Sequence, residues 1–178
     1  MNTLTEYDIS FAVKEFLLKR GYTIVTWNPP GSQGTFTIPN PAKDPLYRGQ
    51  VGSESPDIIA YQGTTMLLVE AKDSISKSFA DIEKISRLLA DHQRRALLLN
   101  ICRLQMEAIG NTLDTENMSI ETCIAVPDAT DILSKYAPYQ QLNKIFAVSL
   151  QDEEWDKNCF DDTVILDDVY NVREIELN

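Results

Sequence analysis

This chain of 178 residues has little of the chemistry that builds metal cages or covalent frameworks. Its three cysteines, Cys102, Cys123 and Cys159, are an odd number, far apart and without a CxxC spacing, which argues against a disulfide framework and a cysteine zinc site. They read as reduced thiols. The single histidine, His92, rules out a multi-histidine site and sits in a charged stretch, as a solvated helix residue would. No apolar run approaches the ~18 residues of a membrane span, and the start MNTLTEYDIS lacks the basic-then-apolar build of a signal peptide. The expectation is a cytoplasmic protein with no membrane partner. Internal repeats and low-complexity tracts are missing too, and the length suits a single domain.

Positive charge is scarce in one half only. The net charge is −11, yet residues 1–103 carry 12 Lys/Arg against 11 Asp/Glu, whereas residues 104–178 carry 4 against 16. Such a chain has no overall field to draw it to nucleic acid, so contact with DNA or RNA requires a local basic patch or a partner. The acidic C-terminal extension, about 151–178, suits docking to a basic partner protein or mimicry of DNA.

What is present is a clear succession of elements. Ile9, Val13, Phe16 and Leu17 recur at helical spacing between Thr5, a possible cap, and Gly21, a stop. The β-branched and aromatic run YTIVTW (22–27) predicts a strand. A long proline-rich loop follows, longer than the ~12–15 residues usual for an idle connection, with TFTI inside it as a short edge strand. Residues 57–72 predict a hairpin: with Gly63-Thr64 as the turn, Gln62 pairs with Thr65 and Asp57 falls opposite Glu70. Asp57, Glu70 and Lys72 then share a face with Ile59, Tyr61, Met66 and Leu68. Ser76–Ile109 is helical, as one long or broken helix; ETCIAVPD is a strand, ATDILSKYAPYQQL a short helix, and NKIFAVSL another strand. TVILDD and VREIEL are strand-like. This order predicts an α/β fold around a mixed central β-sheet flanked by helices.

Two carboxylates directly opposite on a hairpin repel. A divalent cation removes that conflict, and Mg²⁺ favours one or two carboxylates plus water and phosphate oxygens. Asp57 and Glu70, with the main-chain carbonyl of Ala71, supply such a set; Mn²⁺ is a possible substitute. Lys72, on the same face, is placed to orient an attacking water or stabilise charge on a phosphate.

Ser55-Pro56-Asp57, a hairpin-length gap, Glu70-Ala71-Lys72 and a following helix together resemble the PD-(D/E)xK nuclease superfamily over residues 5–126. The resemblance implies a restriction-endonuclease-like core and a single nuclease-like domain. It also implies Mg²⁺-dependent endonuclease activity on DNA, of a restriction or defence type, with Asp57 and Glu70 as metal ligands, Lys72 as the catalytic lysine, and a homodimer. Many members add a glutamate from the first helix; Glu6, three residues before Ile9, matches that place, although a first-turn glutamate also suits the helix dipole. The alternative is a nuclease fold that has become a catalytically silent binding or structural subunit, and a third reading is an acidic, immunity-like inhibitor.

For nucleic-acid contact, Lys77, Lys84, Arg87 and Arg94 recur as one helical ridge beside the metal pair. Arg48 and Gln50, just upstream of Asp57 in the proline-rich loop, are residue types that read base edges. The bland account of the ridge is a solvated helix face with i,i+3 and i,i+4 ion pairs, since Asp81 and Glu83 lie close by.

Overall fold

The computed structural model describes residues 3–31, 36–43, 53–151, 163–166 and 169–177. The first element, α1 (Glu6–Lys19), begins at Thr5, whose hydroxyl accepts from Asp8 N while Asp8 Oδ2 accepts from Thr5 N at 2.9 Å, a reciprocal capping box. It stops at Gly21, whose φ of 84° only glycine adopts without strain. Its apolar stripe, Ile9, Val13, Phe16 and Leu17, is completely buried.

Among the described residues seven strands form one mixed sheet: β1 (Thr23–Trp27), β2 (Ile58–Gln62), β3 (Thr65–Ala71), β4 (Ser119–Pro127), β5 (Lys144–Leu150), β6 (Thr163–Leu166) and β7 (Tyr170–Glu176), in the order β1-β2-β3-β4-β5-β7-β6. Strands β3, β4 and β5 run parallel, and the other pairs are antiparallel. The fold is therefore α/β, a mixed sheet flanked by helices, as the element order predicts. In the hairpin, Gln62 pairs with Thr65 and Ile58 with Val69, which is the predicted register, and Gly63 at φ 57° supplies the turn.

Alternation along the central strands sorts the core by face. Ile58, Ala60, Leu67, Val69 and Ala71 pack under α1 with Phe16 and Phe146. Ile59, Met66 and Leu68 face the other way, against α2 (Ile75–Ala90) and α3 (His92–Ala108). A third cluster joins Ile82 of α2 to β4, β5 and the short α4 (Ile132–Tyr136).

Several boundaries differ from the sequence reading, each for a local reason. The stretch 76–109 is two helices, because Asp91 takes an extended conformation (ψ 106°) and caps α3, accepting from Gln93 N and Arg94 N. The helix expected across 129–142 is only Ile132–Tyr136, closing at Ala137 before Pro138. Of TFTI, the described residues contribute a single bridge, Ile38 to Glu54. The C-terminal stretch is not an appendage: β7 lies between β5 and β6, with Val172 completely buried. Residues 152–162, which hold much of the acidity, lie outside the described residues.

The N-terminus of α1 and strand β7 are joined by the Tyr170 hydroxyl, which donates to Asp8 Oδ1 at 2.8 Å. Asp8 is half-buried; burial alone would raise its carboxyl, but hydrogen bonds from Thr5 and Tyr170 outweigh it and hold the group below its ordinary value. The stabilisation is thus present above the ordinary carboxylate range and lost as pH falls through the lowered folded value. Asp8→Ala is expected to lower the unfolding free energy by ~1–2 kcal/mol at pH 7. In urea titrations the difference from wild type should narrow towards pH 3; a constant difference would mean that the ionised carboxylate is not responsible.

Candidate active site

The hairpin ends at the rim of the sheet where β1 and β3–β5 finish and β2 begins. Asp57 is fixed there by its own chain and by β1. Asn28 N donates to Asp57 O at 2.8 Å, and Asn28 Nδ2 to Pro56 O at 3.1 Å and Ser55 Oγ at 3.1 Å. Ser55 Oγ in turn donates to Phe36 O at 2.6 Å. Asn28 is buried, and this clamp sets where the Pro-Asp pair enters the sheet. The Asp57 carboxylate accepts from Ala71 N at 2.7 Å, so the acid of β2's start is stitched to the end of β3.

Glu70 is 4 % exposed and lies opposite Asp57, one position beyond the Ile58–Val69 pair. Burial, then the charge of Asp57, pushes Glu70 well above the ordinary glutamate range; burial also raises Asp57, against the hydrogen bond from Ala71 and the charge of Lys72. Two acids held this way share protons or need a cation. Lys72 sits at their side. Burial would lower its ammonium, but Asp81, Asp57, Glu70 and Glu6 together overcome that and hold it above its ordinary value, so the lysine is charged.

The expected face is the one occupied: Glu70 and Lys72 point to the side of α2 rather than into the α1 cluster. Lys72 Nζ lies 3.4 Å from Asp81 Oδ2 and 3.9 Å from Glu6 Oε1. The first turn of α1 therefore brings Glu6 within reach of Lys72. Asp81 is a member that the sequence pattern hides, because there it only interrupts a basic ridge. Its signal was the i,i+3 spacing to Lys84, whose Nζ lies 3.8 Å from Asp81 Oδ1 and whose charge also reaches Glu70. Beside Lys72, a cleft of about 540 Å³ opens along the same rim, lined by Asp73, Ser74, Phe79, Pro127, Asp128 and Lys135 among others.

The acid pair and the Ala71 carbonyl match the donor set that Mg²⁺ takes when water and phosphate oxygens complete its shell. Among the described residues no group of three or more His, Cys, Asp or Glu side chains could hold a metal on its own. The buried, repelling pair nevertheless suits a cation.

The proposed nucleic-acid ridge does not form as one surface. Arg94 is buried, paired with Glu54 at 3.2 Å and donating to Pro39 O, so it ties the loop after β1 to α3 and is withdrawn from the ridge. The break at Asp91 also separates it from α2. Lys77 is exposed and paired with Asp73, Arg87 is exposed, and Lys84 turns to the carboxylates. Arg48 and Gln50 lie outside the described residues. His92 is exposed, and Cys102 and Cys123 are buried free thiols, as expected. No helix among the described residues is long and apolar enough to cross a membrane. No protein family, curated protein or solved structure matches the chain.

Two predictions follow from this electrostatics. Because the folded Glu70 carboxyl lies above its unfolded value, the native state holds a proton that the unfolded chain releases, and stability falls as pH rises through that window. In EDTA, Glu70→Gln is expected to melt above wild type at pH 7, with the gap closing below about pH 4; equal melting at pH 7 would refute the strained pair. Arg94→Ala, which leaves Glu54 unpaired in a nearly buried position, should lower the unfolding free energy by ~3 kcal/mol in urea. A wild-type midpoint would return Arg94 to the surface.

Proposed function

We propose that the protein is a metal-dependent endonuclease that hydrolyses phosphodiester bonds in DNA, with a restriction-endonuclease-like core. The observation that carries this reading is the pairing of Asp57 with the buried Glu70, opposite each other at a hairpin mouth and flanked by the charged Lys72. A silent scaffold has no physical use for a buried carboxyl pair whose mutual repulsion lowers stability.

Asp57, Glu70 and the Ala71 carbonyl would hold Mg²⁺ or Mn²⁺. When bound, the ion would supply positive charge for the phosphoryl oxygens and acidify the attacking water. Lys72 would orient that water and offset the charge that builds on the phosphate as the P–O bond breaks. Glu6 and Asp81 act on the lysine: with carboxylates on two sides, its ammonium keeps both its proton and its position. Asn28 positions Asp57 through the main chain and touches no substrate. The net negative charge of the chain weakens non-specific phosphate contact, which favours cutting only where other contacts hold the substrate. A second copy of the chain would bring a second mouth to the opposite strand.

The test is cleavage of supercoiled plasmid, linear duplex, single-stranded DNA and RNA, with Mg²⁺, Mn²⁺ or EDTA. Cleavage is expected in either metal and not in EDTA, with a loss of at least ~100-fold in Lys72→Ala and in Asp57→Ala. Alongside it, Mg²⁺ or Mn²⁺ is expected to raise the melting temperature of wild type and not of Glu70→Gln. No cleavage together with no metal-induced shift would sink the nuclease reading and leave the silent subunit.

A further inference from the structure

Tyr7 is 48 % exposed in the first turn of α1, immediately after Glu6. It does not stand alone. Its ring is nearly parallel to that of Phe11, 6.3 Å between centroids and 7° between planes, and tilted against Trp27 at 5.8 Å; Phe11 and Trp27 close the triangle at 6.1 Å. Lys14 Nζ, paired with Glu15, lies 4.4 Å from the centroid of the Trp27 ring and 5.0 Å from that of Phe11. Residues 7, 11 and 14 fall on one helix face by their spacing. Trp27 ends the edge strand β1 and pairs with Ile58, the neighbour of Asp57.

The cluster is braced from below. Trp27 Nε1 donates to Ser10 Oγ at 3.3 Å, and Ser10 Oγ donates to the Tyr7 carbonyl at 3.0 Å, so the ring-bearing ends of strand and helix are held together. Single exposed apolar side chains are ordinary, but three touching rings beside a charged rim are a surface of their own. The outermost ring of the parallel pair is the exposed one. Glu6, the residue before Tyr7, lies 3.9 Å from Lys72 Nζ, so the rings stand on the α1 side of the rim whose α2 side carries Glu70 and Lys72.

The geometry points to a base-stacking platform: Tyr7, backed by Phe11 and Trp27, receives an unpaired nucleobase of a strand whose backbone passes Lys72 at the hairpin mouth. This rests on the nucleic-acid reading above and adds the substrate class to it. In a duplex each base face is covered by its neighbours, whereas a single-stranded, frayed or extruded base has a free face to lay on the tyrosine. Stacking of this kind tolerates any base, and it lets an acidic protein hold a strand with few phosphate contacts.

The experiment measures binding of a labelled short oligothymidylate, the same strand with abasic sites, and a blunt duplex, by fluorescence anisotropy in EDTA at low salt, where nothing is cut. Wild type is expected to prefer the base-bearing single strand over the other two. Tyr7→Ala should weaken binding of that strand about tenfold and leave the abasic strand unchanged, and Tyr7→Phe should bind as wild type. Equal loss on base-bearing and abasic strands, no loss at all, or no measurable single-strand binding overturns the platform. Metal-dependent cleavage with no effect of Tyr7→Ala on binding would remove the platform alone, and base-dependent binding without cleavage in Mg²⁺ or Mn²⁺ would remove the nuclease reading alone.

Discussion

The antiparallel register of β2 and β3 is the constraint on which the rest of this structure depends. A two-residue turn at Gly63-Thr64 sets that register, and with it the meeting of Asp57 and Glu70 at the hairpin mouth. Both acids are then desolvated and pushed towards their neutral forms, which costs free energy wherever they are left without a cation. The apolar sheet supplies the compensation. Ile58, Leu67, Leu68 and Val69 are completely buried directly behind the pair, so the strands cannot slip by one residue without turning that core to the opposite faces.

The same end of the sheet gathers the groups of the candidate site. Glu6 arrives from the first turn of α1, Lys72 from the residue after β3, Asp81 and Lys84 from α2, and the aromatic triad from α1 and the end of β1. The arrangement follows from topology. A parallel step from β3 to β4 must carry the chain over the sheet through helices, and the first of them starts at the rim where β3 ends. The rim is also held by polar ties, Asn28 to residues 55–57 and Asp8 to Tyr170, that fix loop and helix ends without adding to the apolar core.

Much of this was legible in the chain, and the rest was not, for identifiable reasons. The capping box of α1, the glycine stop and the hairpin register depend on neighbours within a few residues, so spacing alone reveals them. Arg94 looked like one rung of a basic ridge because its sequence neighbours are basic; its burial depends on Glu54 and Pro39, 40 and 55 residues away. Asp81 looked like a flaw in that ridge for the same reason. The C-terminal stretch looked like an acidic extension because strands with charged outward positions have weak periodicity, and only pairing on both sides makes β7 an interior strand.

By itself, then, the sequence determined the alternation of helices and strands, the turn that opposes Asp57 to Glu70, and the face on which Lys72 joins them, because these follow from periods of two and 3.6 residues and from the geometry of a glycine turn. The tertiary structure alone decided that Glu6 and Asp81 converge on the lysine, that Arg94 is a tie rather than a surface charge, and that three rings lie together beside the rim. Those outcomes depend on how helices from distant parts of the chain settle across one sheet. That is set by the packing of buried faces, which no local pattern encodes.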